Sequence, residues 1–203
     1  MKTLTRSVIL GALVASSAAG VLTGAAVAAP TDSSADATST ITAKWVPKKL
    51  DFTFVGFTAH YSCDGLKGEM KAILQQLGAG KDLVLKSTGC VRFEGPETFP
   101  GVHATFSVLE PADSAGKDAA NSPDVAARWD KITLDADKPR QTNDGHCELI
   151  EQVKKSVLPL FSTRNVQFST DCFPHTESLA GAKISAEILK PVKAQGAEPA
   201  AGG

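Results

Sequence analysis

Apolar residues along the middle of this chain recur with two different periods. Between Val102 and Leu109 apolar and polar positions largely alternate, which predicts a strand with one buried face. In residues 63–77 the apolar positions lie three or four apart, which is the spacing of an amphipathic helix. These helical positions, which we assign to the core, are Leu66, Met70, Ile73, Leu74 and Leu77.

The residues flanking this helix predict where it begins and ends. Ser62 precedes it, and a serine hydroxyl in that place accepts a hydrogen bond from a first-turn N–H. Gly78 and Gly80 follow it and permit the positive φ at which many helices end. Strands are predicted on both sides, over residues 82–90 and up to residue 61. The earlier one has a β-bulge at Gly56, where its apolar positions change parity.

Residues 128–191 repeat the order of features found in residues 45–111. Trp45 lies 18 positions before Cys63, and Trp129 lies 18 positions before Cys147 (63 − 45 = 147 − 129 = 18). The two copies are therefore 84 positions apart at these landmarks (129 − 45 = 84). Apolar helix positions recur at the same distance: Leu66, Ile73, Leu74 and Leu77 match Ile150, Val157, Leu158 and Phe161.

The ends of the two copies match as well. Each closes with an alternating segment before a proline, Pro111 or Pro191, and residues 111–127 between the copies form a loop of small and turn-forming residues. We therefore predict an internal duplication. The predicted fold class is α+β, with two tandem βαββ repeats (residues 45–111 and 128–191) forming one antiparallel-rich sheet with two helices on one face. Pro159 should disturb the end of the second helix.

Four cysteines, an even number, predict two disulfides in an oxidising compartment. They are Cys63, Cys90, Cys147 and Cys172. A helix of about 15 residues is about 22 Å long, and a strand over residues 82–90 spans about 26 Å. An antiparallel turn between them returns the end of the strand to the start of the helix, which favours the local pairs Cys63–Cys90 and Cys147–Cys172. Cross-copy pairing, such as Cys63 with Cys147, is the alternative.

The N-terminus has the three parts of a secretory signal. Lys2 and Arg6 precede an uncharged apolar run, and Ala26-Val27-Ala28 provides the small residues of a cleavage site. We predict a signal peptide over residues 1–28, a flexible leader over 29–44, a single domain over 45–192 and a disordered tail over 193–203. The predicted location is the periplasm or the extracellular medium. An uncleaved membrane anchor is the alternative; after cleavage no stable membrane span is expected.

Charge argues against one large class of partner. Without residues 1–28 the chain has 19 basic and 22 acidic side chains (21 − 2 = 19), so its net charge is −3 with histidine neutral. Nucleic-acid binding needs concentrated positive charge, and we expect no such partner. The expected partner is an unidentified protein or a cell-surface ligand.

The sequence contains no motif that assigns a catalytic or metal-binding site. The cysteine spacings contain no CxxC pair, which argues against a zinc cage. His60, His146 and His175 each lie within three positions of a cysteine, so two imidazoles near the second disulfide are a candidate metal or titrating pair. No catalytic, cofactor-binding or metal-binding residue is assigned, and no cofactor is expected. Trp45 and Trp129 are a candidate surface for sugar or peptide.

Two segments carry a resemblance, YSCDGLKGEMKAILQQLGA (residues 61–79) and LPLFSTRNVQFSTDC (residues 158–172). Together with the residues between them, they resemble small exported proteins of gammaproteobacteria that have paired cysteines and no established function. The likeness covers residues 45–172. It implies export and paired cysteines, and it implies no activity.

Two classes of function follow from these observations. The first is a non-enzymatic envelope or extracellular protein that binds a partner or has a structural role. The second is a secreted hydrolase, or an inhibitor of one, whose active residues are not assigned. An enzyme should have a cleft with a titratable cluster, whereas a binding protein should present an apolar or aromatic surface.

Overall fold

The computed structural model describes residues 39–57, 60–91, 95–116, 119, 121–135, 146–172 and 181–192. The predicted signal peptide, the tail and His175 lie outside these residues. Six strands and two α-helices make up the described fold: β1 (Ile41–Thr53), α1 (Cys63–Gln76), β2 (Val84–Thr88), β3 (Gly101–Pro111), β4 (Asp124–Asp135), α2 (His146–Ser156), β5 (Thr163–Thr170) and β6 (Ala182–Pro191).

All six strands belong to one antiparallel sheet with the order β2-β3-β1-β4-β6-β5. The first three strands of the sheet come from one half of the chain and the last three from the other. β3 and β6 also contact each other although β1 and β4 lie between them, so the sheet is strongly curved. The fold is therefore α+β with two helices, which agrees with the predicted class.

The two halves of the sheet are joined by a short pairing between β1 and β4. Ile41 to Lys44 pair with Ala127 to Asp124, and Thr42 pairs with Ala126. β1 begins at Ile41, so residues 41–44 lie in a strand although the sequence places them in the flexible leader. Their backbone groups are satisfied by β4 on one side and, at Ala43 and Lys44, by β3 on the other.

Both helices contribute to a single apolar core. α1 packs against β2 and β3, and α2 packs against β6. The core joins apolar residues of both helices to the strands, and its fully buried members include Leu66, Met70, Leu74, Leu149, Val153, Ile184 and Ala104. One ring pair in it joins the halves, because Phe106 stacks on Phe161 with the ring centroids 5.6 Å apart.

The ends of the helices follow from local sequence. The Ser62 hydroxyl accepts a hydrogen bond from the N–H of Gly65 at 3.1 Å, as predicted for the N-cap of α1. Gly78 has φ of 90° directly after the C-cap Leu77, which confirms it as the stop. α2 gives way after Ser156 to a single 3-10 turn, Leu158–Leu160, because Pro159 has no N–H to continue the helix.

The predicted β-bulge at Gly56 is wrong. The chain leaves the sheet after Thr53, and Phe54 and Tyr61 turn into the core, where their rings form an edge-to-face pair. α2 supplies the hydrogen-bonding partners that a neighbouring strand would otherwise provide. Gln152 binds both the N–H and the C=O of Val55, and the Glu148 carboxylate accepts from the N–H of Phe57. Two side chains distant in sequence thus replace strand pairing here.

The two disulfides have the predicted local pairing. They join Cys63 to Cys90 and Cys147 to Cys172, with Cα–Cα distances of 6.1 and 6.0 Å. In each half the bridge links the beginning of a helix to the residue two positions beyond an edge strand, β2 or β5. Each bridge therefore holds an edge strand of the described sheet to a helix.

We expect each disulfide to stabilise the fold by restricting the unfolded chain. Replacement of Cys147 and Cys172 together by alanine should lower the free energy of unfolding by about 3.5 kcal/mol, the chain-entropy value for a loop of this length. Urea unfolding of the oxidised protein measures this. The matched control is the double replacement of Cys63 and Cys90, because the bridge between these two residues closes a loop of nearly equal length. Unchanged stability in both variants would contradict a structural role for the bridges.

Candidate functional site

A second, smaller apolar cluster lies on the sheet apart from the main core. Trp45 and Leu109 are directly paired on β1 and β3, and Trp129 and Leu189 are directly paired on β4 and β6. Successive strand residues point to opposite faces, so Trp45 lies on the opposite face of β1 from the core residue Leu50. The buried members are Ala43, Leu109, Ala127 and Leu189, and the partly buried ones are Ile41, Trp45, Val125 and Trp129.

A cavity of about 600 Å³ opens beside Trp45. Its walls come from β1, from the end of α1 and the loop that follows, from β3, and from the end of β6. The lining residues are Trp45, Gln75, Gly78, Ala79, Gly80, Lys81, Asp82, Ser107, Lys190 and Pro191. We call this space the Trp45 cavity. Its volume is in the range of small-molecule and side-chain binding sites.

Backbone hydrogen bonds fix the loop that forms one wall of the cavity. The N–H of Ala79 donates to the carbonyl of Leu74 at 2.9 Å, and the N–H of Gly80 donates to the carbonyl of Ser107 at 2.8 Å. The absence of a side chain at Gly80 is necessary there. A Cβ atom on Gly80 would lie 3.3 Å from Cζ3 of Trp45 and 2.5 Å from Oδ1 of Asp82.

Of the residues that the structure describes, Asp82 is the one carboxylate in the wall of the Trp45 cavity. Its Oδ1 accepts from the N–H of Ser107 at 3.2 Å, and its Oδ2 accepts from the Ser107 hydroxyl at 2.7 Å. These bonds hold the carboxylate beside β3, two positions before β2 begins. Asp82 also lines a neighbouring cavity of about 360 Å³ with Lys48 and Lys49, so one carboxylate borders both spaces.

The ring of Trp129 is covered by side chains of its own half. The Arg164 guanidinium carbon lies 4.7 Å from the ring centroid, and Arg164 Nε donates to Oε2 of Glu187 at 2.5 Å. The Asn165 amide donates to Oε1 of the same carboxylate at 3.0 Å. The hydrogen bond from Asn165, followed by that from Arg164, lowers the pKa of Glu187 below its ordinary value.

The histidine pair proposed from the sequence near the second disulfide includes His175, which lies outside the described residues. His60 is exposed, and His146 is the first residue of α2. Within the described ranges, no group of three or more histidine, cysteine, aspartate or glutamate residues could hold a metal ion. A histidine that the sequence interpretation left aside, His103, lies 2.6 Å from Asp51 through its Nδ1. The two are direct cross-strand neighbours on β3 and β1.

Tyr61 is the most strongly perturbed titratable group that the structure describes. Burial raises the pKa of its phenol well above the ordinary value, and the negative charges of Glu69 and Glu148 add to this effect. The group therefore stays protonated at every physiological pH. It is a core residue, and it contributes no acid or base to the cavity.

Comparison with known proteins identifies no relative. No protein-family model matches this chain, and no curated protein or solved structure matches it. Among the described residues, no helix has the length and apolar character needed to cross a membrane.

The hydrogen bonds around Glu187 should be visible in its titration. Because its pKa is lower in the folded protein than the ordinary 4.5, its stabilising contribution is present at neutral pH and is lost as the pH falls through the folded-state pKa. Replacement of Asn165 by alanine should move the pKa of Glu187 back towards 4.5. NMR titration of the Glu187 carboxyl carbon measures this shift. Titration of Glu187 at its ordinary value in the unaltered protein would contradict the geometry.

Proposed function

We propose that this protein is an exported, disulfide-stabilised, non-enzymatic binding protein, and that its ligand site is the Trp45 cavity. The observation that carries this proposal is the indole ring of Trp45 in the wall of a cavity of about 600 Å³. Tryptophan combines a large apolar face with a polar N–H, and such residues dominate binding energies at recognition sites.

The chemistry of the cavity favours binding over catalysis. The Ser107 hydroxyl donates a hydrogen bond to the Asp82 carboxylate, and no imidazole of the kind that activates a nucleophilic serine is among the described lining residues. The other charged groups in the lining are two lysines, Lys81 and Lys190. A hydrolase or a hydrolase inhibitor is the alternative, and none of these contacts favours it specifically.

Export is supported by the cysteines. All four are in disulfides in the structure, and disulfides form and persist mainly outside the reducing cytoplasm. The sequence of residues 1–28 adds the pattern of a cleavable signal. We propose that the mature protein begins at Ala29 and resides in the periplasm or the extracellular medium.

We also propose that the two halves arose by duplication. Thr42 pairs with Ala126, the residue 84 positions later (126 − 42 = 84), so the β1–β4 register is the one that a two-fold axis relating equivalent residues requires. The strand order is also symmetric, because β1, β3 and β2 follow one another outwards as β4, β6 and β5 do. An experimental structure whose halves fail to superpose would contradict this proposal.

The export proposal predicts a defined product. Protein recovered from its natural location should begin at Ala29 and should contain no free thiol, because the signal is removed and both bridges form after export. Intact mass and a peptide map without reduction test both points together. A product that retains Met1 or carries reduced cysteines would contradict the proposal.

The binding proposal predicts that Trp45 and Trp129 differ in importance. The mature protein should bind members of an immobilised panel of short peptides and oligosaccharides, and Trp45→Ala should weaken this binding about tenfold or more, as loss of a buried aromatic anchor does. Trp129→Phe is the matched control and should bind as the unaltered protein does. Equal binding by the Trp45→Ala variant would place the ligand elsewhere. Hydrolysis of panel members would favour the enzyme alternative.

A further inference from the structure

The two halves place a tryptophan at matching positions and cover the two rings differently. Trp129 has the Arg164 guanidinium over its ring, held there by Glu187. In the part of the chain that the structure describes, no cation lies over Trp45, and the Trp45 cavity occupies the space beside that ring. The ring of Trp129 is therefore covered by a cation of the same half, whereas a cavity lies beside the ring of Trp45.

Sequence positions explain why the space is open. Gly80 precedes Arg164 by 84 positions, the same distance that separates Trp45 from Trp129 (164 − 80 = 129 − 45 = 84). Ser107 precedes Glu187 by 80 positions, the distance between Leu109 and Leu189, which pair with the two tryptophans (187 − 107 = 189 − 109 = 80). The first half thus has glycine where the second has arginine.

The first half nevertheless retains a carboxylate at this place. The Asp82 side chain is bound to Ser107, the residue that corresponds to Glu187. Asp82 Oδ1 and Trp45 Cζ3 both lie close to the position that a Cβ on Gly80 would occupy. The Trp45 indole and the Asp82 carboxylate therefore both lie beside Gly80, and all three residues line the cavity.

We propose that the Trp45 cavity binds the guanidinium group of an arginine side chain that a partner polypeptide supplies. This inference rests on the proposed binding function of the cavity. A guanidinium is planar and weakly hydrated, so it stacks on an indole face while its N–H groups donate to a carboxylate. Arg164, Trp129 and Glu187 show this combination within the same chain.

Two further features bear on the charge of the ligand. α1 ends at the cavity and has no basic residue in its last turn, so the negative end of its dipole is left for a cation. Lys81 and Lys190 also line the cavity and oppose a cation. Their replacement should therefore strengthen binding of a cationic ligand and weaken binding of an anionic one. The direction of the change in affinity thus distinguishes a cationic from an anionic ligand.

The cavity is larger than one arginine side chain, which favours a peptide over a free guanidinium compound. The test uses the mature Trp129→Phe protein, in which Trp45 is the sole tryptophan, because the chain contains two. Blocked Gly-Arg-Gly, Gly-Lys-Gly and Gly-citrulline-Gly peptides and free guanidinium chloride are titrated against Trp45 fluorescence. Citrulline keeps the shape of arginine without its charge.

We expect the arginine peptide to saturate the signal and to bind about tenfold more tightly than the citrulline peptide, since the cation–π and charge-assisted contacts are both lost. The lysine peptide should bind about threefold more weakly than the arginine peptide, because its ammonium is strongly hydrated and not planar. Free guanidinium should bind more weakly than the arginine peptide. A peptide that binds no better than free guanidinium would overturn the assignment of a polypeptide source.

Two substitutions test the site directly. Asp82→Asn keeps the shape of the side chain and should weaken arginine binding about tenfold. The double variant Lys81→Gln and Lys190→Gln should strengthen it about threefold through loss of charge repulsion. Glu187→Gln, at the other tryptophan, is the matched control and should leave binding unchanged. Circular dichroism and urea unfolding confirm that each variant is folded.

The outcomes separate this inference from the proposed function. Equal binding of arginine and citrulline peptides, or weaker binding after removal of the lysines, would overturn the guanidinium assignment while leaving the Trp45 cavity as a binding site. Trp45 fluorescence that responds to acidic peptides or oligosaccharides but not to the arginine peptide would also overturn the guanidinium assignment and leave the cavity as a binding site. If Trp45→Ala retains all binding to the peptide and oligosaccharide panel, both proposals fail.

Discussion

Four residue pairs between β1 and β4 hold the two three-stranded halves of this protein in one sheet. The contact is short because each strand continues past the other in the opposite direction. Ala43 and Ala127 lie within it and are fully buried. Their small side chains allow Leu109 and Leu189 to join the same cluster from the flanking strands. The positions of Trp45 and Trp129, two residues further along each strand, follow from this register.

Other contacts besides the β1–β4 pairing also join the two halves. Gln76 on α1 donates to the carbonyl of Thr133 in β4 at 2.6 Å. Gln152 on α2 binds the backbone of Val55, which follows β1. Each helix therefore satisfies backbone groups of the opposite half. Since the main core is also shared, the two halves form one packing unit rather than two.

Local sequence predicted much of the fold, and contacts distant in sequence account for the rest. The bounds of α1, the Ser62 cap and the local disulfide pairs follow from periodicity, hydrogen-bonding chemistry and element length. The path after Thr53 could not be predicted in this way, because its partners lie more than 90 positions away on α2. β4 likewise begins at Asp124, inside the predicted loop, because it pairs there with β1.

The candidate site was only partly visible in the sequence. Trp45 and Trp129 stood out as the two tryptophans, and their spacing indicated equivalent positions. The same spacing relates Gly80 to Arg164, but the meaning of that difference depends on the packing of Arg164 over Trp129. The Asp82–Ser107 contact has no local signal, because it depends on where the loop after α1 meets the edge of β3.

The loop between β3 and β4 determines what proteolytic cleavage there would do to the fold. It is the one covalent link between the halves, and its Ser122 hydroxyl reaches the carbonyl of Trp45 at 2.9 Å. Cleavage in this loop would leave the paired strands, the common core and both sulfur bridges intact. A nicked molecule should therefore remain associated and keep its shape.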